Sequence, residues 1–320
     1  MKLFLKIIGI LVGLVALAVL SFVLFINLRG IPSFPNEARD IQVEITPERV
    51  EEGARIASML CISCHGGEDG TLSGKELMDV KRFGDIYAPN ITQHQTAGIA
   101  DYTDGELIYL FRTGIKKDGQ LSPPYMPKFR YMADEDIKSI VAFLRSDHRL
   151  VQASEVIQPE IKPSFLTKFL MFVAFDPLSY PEEEIVAPEP SDQIAFGKYI
   201  ATAKFECYSC HSADFARMDI MVPENSAGYF GGGNKMLDLD GNMVFTPNIT
   251  MDKTTGIGDW SEEEFVNCVQ YGLRPNGGPA AEYPMIPWVK MTNEEASAIF
   301  AYLKSIPAIV NEVPAKGSES

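Results

Sequence analysis

The chain has 320 residues, 46% of them hydrophobic, and a formal net charge of −15. That length can hold two domains of ordinary size, each with its own core. No basic stripe interrupts the acidic balance, which argues against nucleic-acid binding.

The first region in the chain is apolar. Ile7 to Leu28 is a run of 22 residues without a charge. At about 1.5 Å per residue such a helix reaches roughly 33 Å, enough to cross a bilayer. A signal peptide has a shorter apolar core that ends at small residues. Here Ala16 and Ala18 lie mid-run, with Val19, Leu20 and residues 22–26 after them. A retained anchor over residues 1–30 is therefore expected. Lys2 and Lys6 precede the run and Arg29 follows it. Positive charge favours the cytoplasmic side, so the bulk of the chain should lie outside, in the periplasm of a bacterium, on a single pass through the inner membrane. The remainder has 25 basic residues against 43 acidic ones. An acidic exterior suits a basic soluble partner as well as it suits solubility.

The next predicted element is a helix opened by Thr46-Pro47, with apolar positions three and four apart at Val50, Gly53, Ile56 and Ala57. Gly53 would let another helix cross closely. The segment "CISCH" follows at 61–65, then "PNIT" at 89–92. A capped middle helix is predicted in "TDGELIYLFRTG" (103–114): Thr is followed three residues later by Glu, and the stretch closes on Gly. A proline-rich loop, "SPPYMPKF", carries Met126, and "IVAFLRS" (140–146) marks a last helix.

Residues 151–190 hold six prolines and read as a linker. Within it, "FLTKFLMFVAF" (165–175) is strongly apolar. It is expected to pack between two domains, with a place on the membrane surface as the alternative.

The chain then repeats itself. "CYSCH" stands at 207–211, "PNIT" at 247–250, "SEEEFVNCVQYG" at 261–272, Met285 in "EYPMIPWV", and "IFAYLKS" at 299–305. Ile194, Gly197 and Ile200-Ala201 repeat the helix ahead of the motif. The predicted organisation is an anchor (1–30), two copies of one all-α domain (41–150 and 191–310), the linker between them, and a disordered tail (311–320).

Cys-x-x-Cys-His is the attachment sequence for c-type haem. Two thiols form thioethers with the haem vinyl groups, and the adjacent histidine becomes the proximal iron ligand. Structural zinc would need a fourth matched ligand in each half. A dithiol redox pair would be expected beside a βαβ pattern. Cys61, Cys64, His65 and Cys207, Cys210, His211 are thus candidate sites for two covalently bound haem c groups. A methionine thioether as sixth ligand favours ferrous iron and raises the potential. Met126 and Met285 match each other in rigid loops and are the candidates. Met132 and Met291 also match but read better as core fillers. His94 and His148 are unmatched and read as surface residues. The carbonyls of Pro89 and Pro247 are candidates to accept the second ring N–H of each proximal histidine. Cys268, opposite Leu110 in the repeat, reads as an inert thiol.

Residues 46–150 and 191–306 resemble class I cytochrome c domains. The combination of "PNIT", "TGI", Tyr102 or Trp260, the capped helix, the Met-Pro loop and "FLRS" is similar to the cytochrome c subunits of membrane-bound alcohol, gluconate and aldehyde dehydrogenases. Those subunits usually carry three haem domains. An N-terminal anchor also resembles the diheme subunit of some haem-copper oxidases. The resemblance implies electron transfer without substrate turnover. The donor would be a membrane dehydrogenase or quinol-oxidising complex, and the acceptor a soluble cytochrome or terminal oxidase. A diheme peroxidase-like enzyme, with one open iron, is the rival reading.

Overall fold

The computed structural model describes residues 1–314, except the side chains of Asp79 and Asn276. It is mostly helical. Helix α1 (Lys2–Arg29) is long and apolar enough to cross a membrane, with a mean hydropathy of 3.0 in its most apolar window. Residues 31–34 do not trail away from it. Leu121 donates its backbone N–H to Pro32 at 3.0 Å, and Phe34 donates to Gly119 at 2.8 Å. The apolar helix is thus joined to the folded part without a loose tether.

The first half is built on α2 (Pro47–Leu60) and α5 (Asp134–Arg145). Thr46 caps α2 by accepting from the Arg49 N–H, and Pro47 takes the first helical position. The two helices cross at Gly53, where an added Cβ would lie 1.9 Å from the Ser139 carbonyl oxygen. Ile56, Ala57, Ile140, Val141 and Phe143 are buried around that crossing. Helix α3 (Ile62–His65) follows directly on α2, and α4 (Asp104–Thr113) is the capped middle helix. Its capping box joins Thr103 and Glu106, and Gly114 closes it in the left-handed conformation.

The second half repeats this crossing. Helix α7 (Gln193–Tyr199) packs on α10 (Asn293–Ser305), and a Cβ on Gly197 would lie 1.8 Å from the Ala298 carbonyl oxygen. Helix α9 (Glu262–Tyr271) has the same capping box, Ser261 with Glu264, and the same left-handed closure at Gly272. One difference separates the halves. Ten positions separate Gly197 from Cys207, against eight from Gly53 to Cys61. The two extra residues are absorbed by a π-turn at Ile200–Lys204 and by Glu206, whose φ is 48°. After them α8 (Cys207–His211) restores the register.

Two departures from an all-helical chain are small. Strand β1 (Gly84–Asp85) pairs with β2 (Lys162–Pro163), and β3 (Lys235–Leu237) pairs with β4 (Met243–Phe245). The apolar stretch of the linker is helix α6 (Phe165–Val173). It does not pack between the halves as expected. Thr167 and Met171 are buried against the first half, where Met171 joins Tyr109, Ile115 and Leu121. Phe169 and Phe172 meet Phe22 and Phe25 of α1. The physical reason is that α6 is apolar on more than one face, so two separate surfaces can take it.

The halves are joined by apolar packing, with Met59 and Ala133 of the first buried in the core of the second, and by a cluster of charges. Lys204 of the π-turn lies 3.0 Å from Glu52 on α2, 3.1 Å from Asp136 on α5 and 3.4 Å from Glu295 on α10. Arg55 bridges Glu52 and Glu295 at 2.7 Å each. Tyr199 donates to Asp136 and accepts from the Ala133 N–H. At the C-terminal end, Asn311 was expected to open a disordered tail. Instead it donates to the carbonyls of Gly231 and Gly232. Residues 315–320 of that tail lie outside the described residues.

Candidate functional site

Each Cys-x-x-Cys-His segment is a short helical turn at the end of the helix that carries the crossing glycine. The turn puts the histidine beneath the "PNIT" segment. His65 Nδ1 lies 2.8 Å from the Pro89 carbonyl oxygen, and His211 Nδ1 lies 3.0 Å from that of Pro247. Both rings are buried, at 9% and 8% exposure. Burial holds both imidazoles below the usual histidine range, partly offset by the proline carbonyls. The shift favours the neutral ring, and a neutral ring that donates from Nδ1 to the carbonyl has Nε2 as its acceptor atom.

The rest of "PNIT" locks that carbonyl in place. Asn90 accepts from the N–H and hydroxyl of Thr92, and Asn248 does the same for Thr250. The amide of Asn90 reaches Ser154 and Val156, while that of Asn248 reaches Ile309. All four side chains are buried. Two glycines complete the brace. Gly74 donates to the His65 carbonyl and Gly232 to the His211 carbonyl, both at 2.8 Å. Both have positive φ, and a Cβ on either would strike Ala88 or Pro247 backbone at 2.1 and 2.4 Å.

The repeat alone does not reveal these glycines, because the second half is longer than the first between its Cys-x-x-Cys-His segment and "PNIT". The backbone pairing fixes the register. Ile91 donates to Leu72, and Ile249 donates to Phe230. "GYFGGG" therefore matches "GTLSGK" of the first half, and the extra residues loop out between Ala213 and Ala227, whose N–H and carbonyl close the loop at 2.8 Å.

Both cysteines of each segment precede its histidine. Desolvation pushes the Cys61 and Cys207 thiols up to about 12, with Cys64 and Cys210 adding to it. Reactive dithiols show the opposite shift. Among the described residues, no three His, Cys, Asp or Glu side chains converge as a metal-ion ligand set. Cys268 is half-buried, and desolvation raises its thiol too. His94 and His148 are not simply solvated. His94 Nδ1 accepts from Ala97 at 3.0 Å and closes the same turn that Asp252 closes in the second half. His148 Nδ1 accepts from Leu150, and the ring meets Phe143 edge-on.

The two methionine loops differ. Met126 packs against the cluster that takes in Cys61, Ile62 and Tyr102. Met285 is half-buried and joins none of the apolar clusters among the described residues. Met132 and Met291 are buried inside the two cores, at 0% and 3% exposure. The loops end on a matched pair that sequence reading overlooked. Arg112 donates to the carbonyls of Phe129, Arg130 and Met132 and pairs with Asp134. Gln270, its counterpart, donates to the Met291 carbonyl at 2.7 Å and to Asn293 at 2.9 Å. A polar residue on the buried face of both capped helices was the available signal.

Around Met126 several buried polar atoms have no partner among the described residues: Ser122 Oγ, Tyr125 Oη, and Nε and Nη1 of the half-buried Arg130. Desolvated guanidinium nitrogens call for an acceptor, best an anion.

Residues 50–147 match the Cytochrome c family. The chain is 29% identical to the cytochrome c subunit of alcohol dehydrogenase (quinone) from Gluconacetobacter polyoxogenes, over 81% of this chain and 56% of that one. It is 25% identical to the gluconate 2-dehydrogenase cytochrome c subunit of Pantoea cypripedii, over 87% and 64%. The same identity relates it to a diheme cytochrome c-type protein of Cereibacter sphaeroides, over 78% and 82%. This chain therefore spans little more than half the length of the dehydrogenase subunits. Residues 50–147 are accordingly a cytochrome c domain, carried by a chain that resembles the cytochrome c subunits of alcohol and gluconate dehydrogenases.

Proposed function

We propose that the chain is a membrane-anchored diheme c-type cytochrome that relays single electrons and transforms no substrate. The observation that carries this reading is the paired histidine geometry. Two attachment motifs present two buried neutral imidazoles, each held by a proline carbonyl 2.8–3.0 Å away. Cys61 and Cys64, and Cys207 and Cys210, would hold one haem c in each half by thioethers, with His65 and His211 as proximal ligands. Haem iron there supplies one-electron chemistry between ferric and ferrous states. Met126 and Met285 would close the sixth positions. The orphaned atoms of Ser122, Tyr125 and Arg130 suit a buried propionate of the first haem.

The chain's own residues keep each site fixed. Proline carbonyls orient the imidazoles, glycines brace the histidine backbone, and Arg112 and Gln270 pin the ends of the methionine loops. Such rigidity suits electron transfer, because little reorganises when the iron changes charge. The donor is a dehydrogenase or quinol-oxidising complex in the same membrane, facing the periplasm, and the acceptor is a soluble cytochrome or terminal oxidase. The relatives' printed names support a dehydrogenase as the partner.

One observation favours a second reading. Met285 stands outside the second core, so the second iron could open to peroxide, as a diheme peroxidase requires. The oxidised visible and far-red spectrum of the haem-loaded chain tests both. Two haems per chain, with a full-strength methionine–iron band in the far red and no response to carbon monoxide or peroxide, support the carrier. Two haems with half the band and a carbon monoxide adduct support the enzyme. One haem per chain contradicts the diheme reading altogether.

A further inference from the structure

Helix α6 has a face that the described residues cover only in part, by α1. Thr167 and Met171 point into the first half, and Thr167 Oγ1 donates to the Phe83 carbonyl at 2.6 Å. At about 100° per residue, Phe165, Leu166, Phe169, Phe172 and Val173 share one arc of roughly 120° away from that face. Phe165, Leu166, Phe172 and Val173 are exposed, at 40–52%. No charge falls within the arc; Lys168 stands at its edge. A contiguous apolar patch of this kind marks an interaction site.

Its neighbour identifies the occupant. The arc is centred on Phe169, whose ring meets Phe22 of α1 at 6.1 Å, and Phe172 meets Phe25 at 5.5 Å. The apolar run of α1 ends at Leu28. Phe22 and Phe25 lie six and three residues inside it, about 9 and 5 Å at 1.5 Å per residue. Helices that lie in a membrane interface bury their apolar face about 5–10 Å deep. Arg82 and Lys162 lie beside the first turn of α6, since Ser164 Oγ donates to the Arg82 carbonyl and Lys162 precedes the helix in β2. Basic residues at such a border suit anionic headgroups.

We propose that α6 is a second membrane-contacting element, whose open face enters the acyl-chain boundary of the leaflet on the folded side of the bilayer. This rests on α1 crossing that bilayer. With residues 31–34 bonded to the loop at 119–121 and α6 bonded to the Phe83 carbonyl, the first half is held against the membrane in one orientation. A relay fixed in this way presents its sites at a set height to a membrane-bound donor.

The test uses the full haem-loaded chain in lipid nanodiscs, with p-benzoylphenylalanine in place of Leu166 or Phe172. The same probe replaces Leu17 on α1 as the span control and Leu239 in the β3–β4 turn as the solvent control. Haem content confirms that each variant folds. After illumination, mass spectrometry should find lipid adducts at 166 and 172 in yields within about twofold of position 17, with none at 239. Adducts at 17 alone would overturn the proposal and leave the anchor standing. Adducts to protein at 166 and 172 would also overturn it, because a second chain would then cover the face. No adduct at 17 would remove the anchor and the proposal together.

Discussion

Lys204 Nζ, on the π-turn of the second half, lies 3.0 Å from Glu52 Oε1 on α2 of the first. The lysine side chain is only 6% exposed. Burial opposes its charge, but Asp136, Glu52 and Glu295 outweigh that and hold it above the usual lysine range. Removing one member of such a cluster leaves buried charge without a counter-ion, at a cost of about 3–5 kcal/mol. Lys204→Met should therefore weaken the junction of the halves by about 3 kcal/mol and split one unfolding transition into two. Urea unfolding of the holoprotein, followed by haem absorbance and far-UV circular dichroism, measures both. A single transition within about 1 kcal/mol of the parent would mean that the cluster does not join the halves.

The same cluster sets a pH dependence with a definite sign. Burial raises Glu52 and Glu295, but their bonds to Arg55 and the charge of Lys204 win, so both sit below the usual glutamate range. A carboxylate with a depressed folded pKa stabilises fully above its unfolded pKa, about 4.3, and loses that contribution as pH falls through the folded value. The raised Lys204 contributes fully below about 10.4 and is lost only at still higher pH. Stability of the junction should be flat between about pH 6 and 9 and fall steadily below about pH 4. The Lys204→Met variant, whose carboxylates are less depressed, should show a shallower acid slope. Equal slopes for the two proteins would contradict this assignment.

Gly53 and Gly197 hold the helix crossings. An added Cβ meets carbonyl oxygens of the backbone at 1.9 and 1.8 Å, and backbone cannot give way as a flexible side chain can. Gly53→Ala and Gly197→Ala should each cost about 3 kcal/mol or more, at or above the upper end for overpacking. Gly13→Ala, in α1 with nothing within 4 Å, is the control and should leave the melting temperature of the folded halves unchanged. Melting temperatures of the three variants decide it, and a stable Gly53→Ala protein would show that the helices can part.

What was legible in the sequence was what repeats at short range. The Cys-x-x-Cys-His segments, the capping boxes at Thr103 and Ser261 and the crossing glycines each rest on residues within one turn of each other, and the structure places the capping boxes and the glycine crossings as read. The proline carbonyls against His65 and His211 were legible because "PNIT" occurs twice. The Lys204 cluster was not. Its members come from four elements up to 243 positions apart in sequence, and Lys204 reaches them only because a π-turn rotates it inward. The place of α6 was hidden for a related reason: an apolar stretch says that it must be covered, and only the fold says by what. Gly74 and Gly232 were obscured by the insertion at 214–226, which shifts the register between the halves.

The loop around Met126 carries a charge at Arg130, a position that is uncharged in the loop around Met285. Arg130 has two buried nitrogens without a partner, while Val289 occupies the matching position and is 61% exposed. If each half holds a haem, as proposed, a guanidinium beside one of them favours its reduced, less positive state, and burial away from water acts in the same direction. Two unequal potentials should result, the higher one in the first half. Arg130→Gln removes the charge and keeps a hydrogen-bond donor. With 1.4 kcal/mol equal to 59 mV for one electron, a loss of ~1 kcal/mol lowers the higher potential by about 40 mV and leaves the lower one in place. A spectroelectrochemical titration of the two proteins reads both waves. If the lower wave moved instead, Arg130 would belong to the other site, and the assignment of the orphaned atoms to the first haem would have to be abandoned.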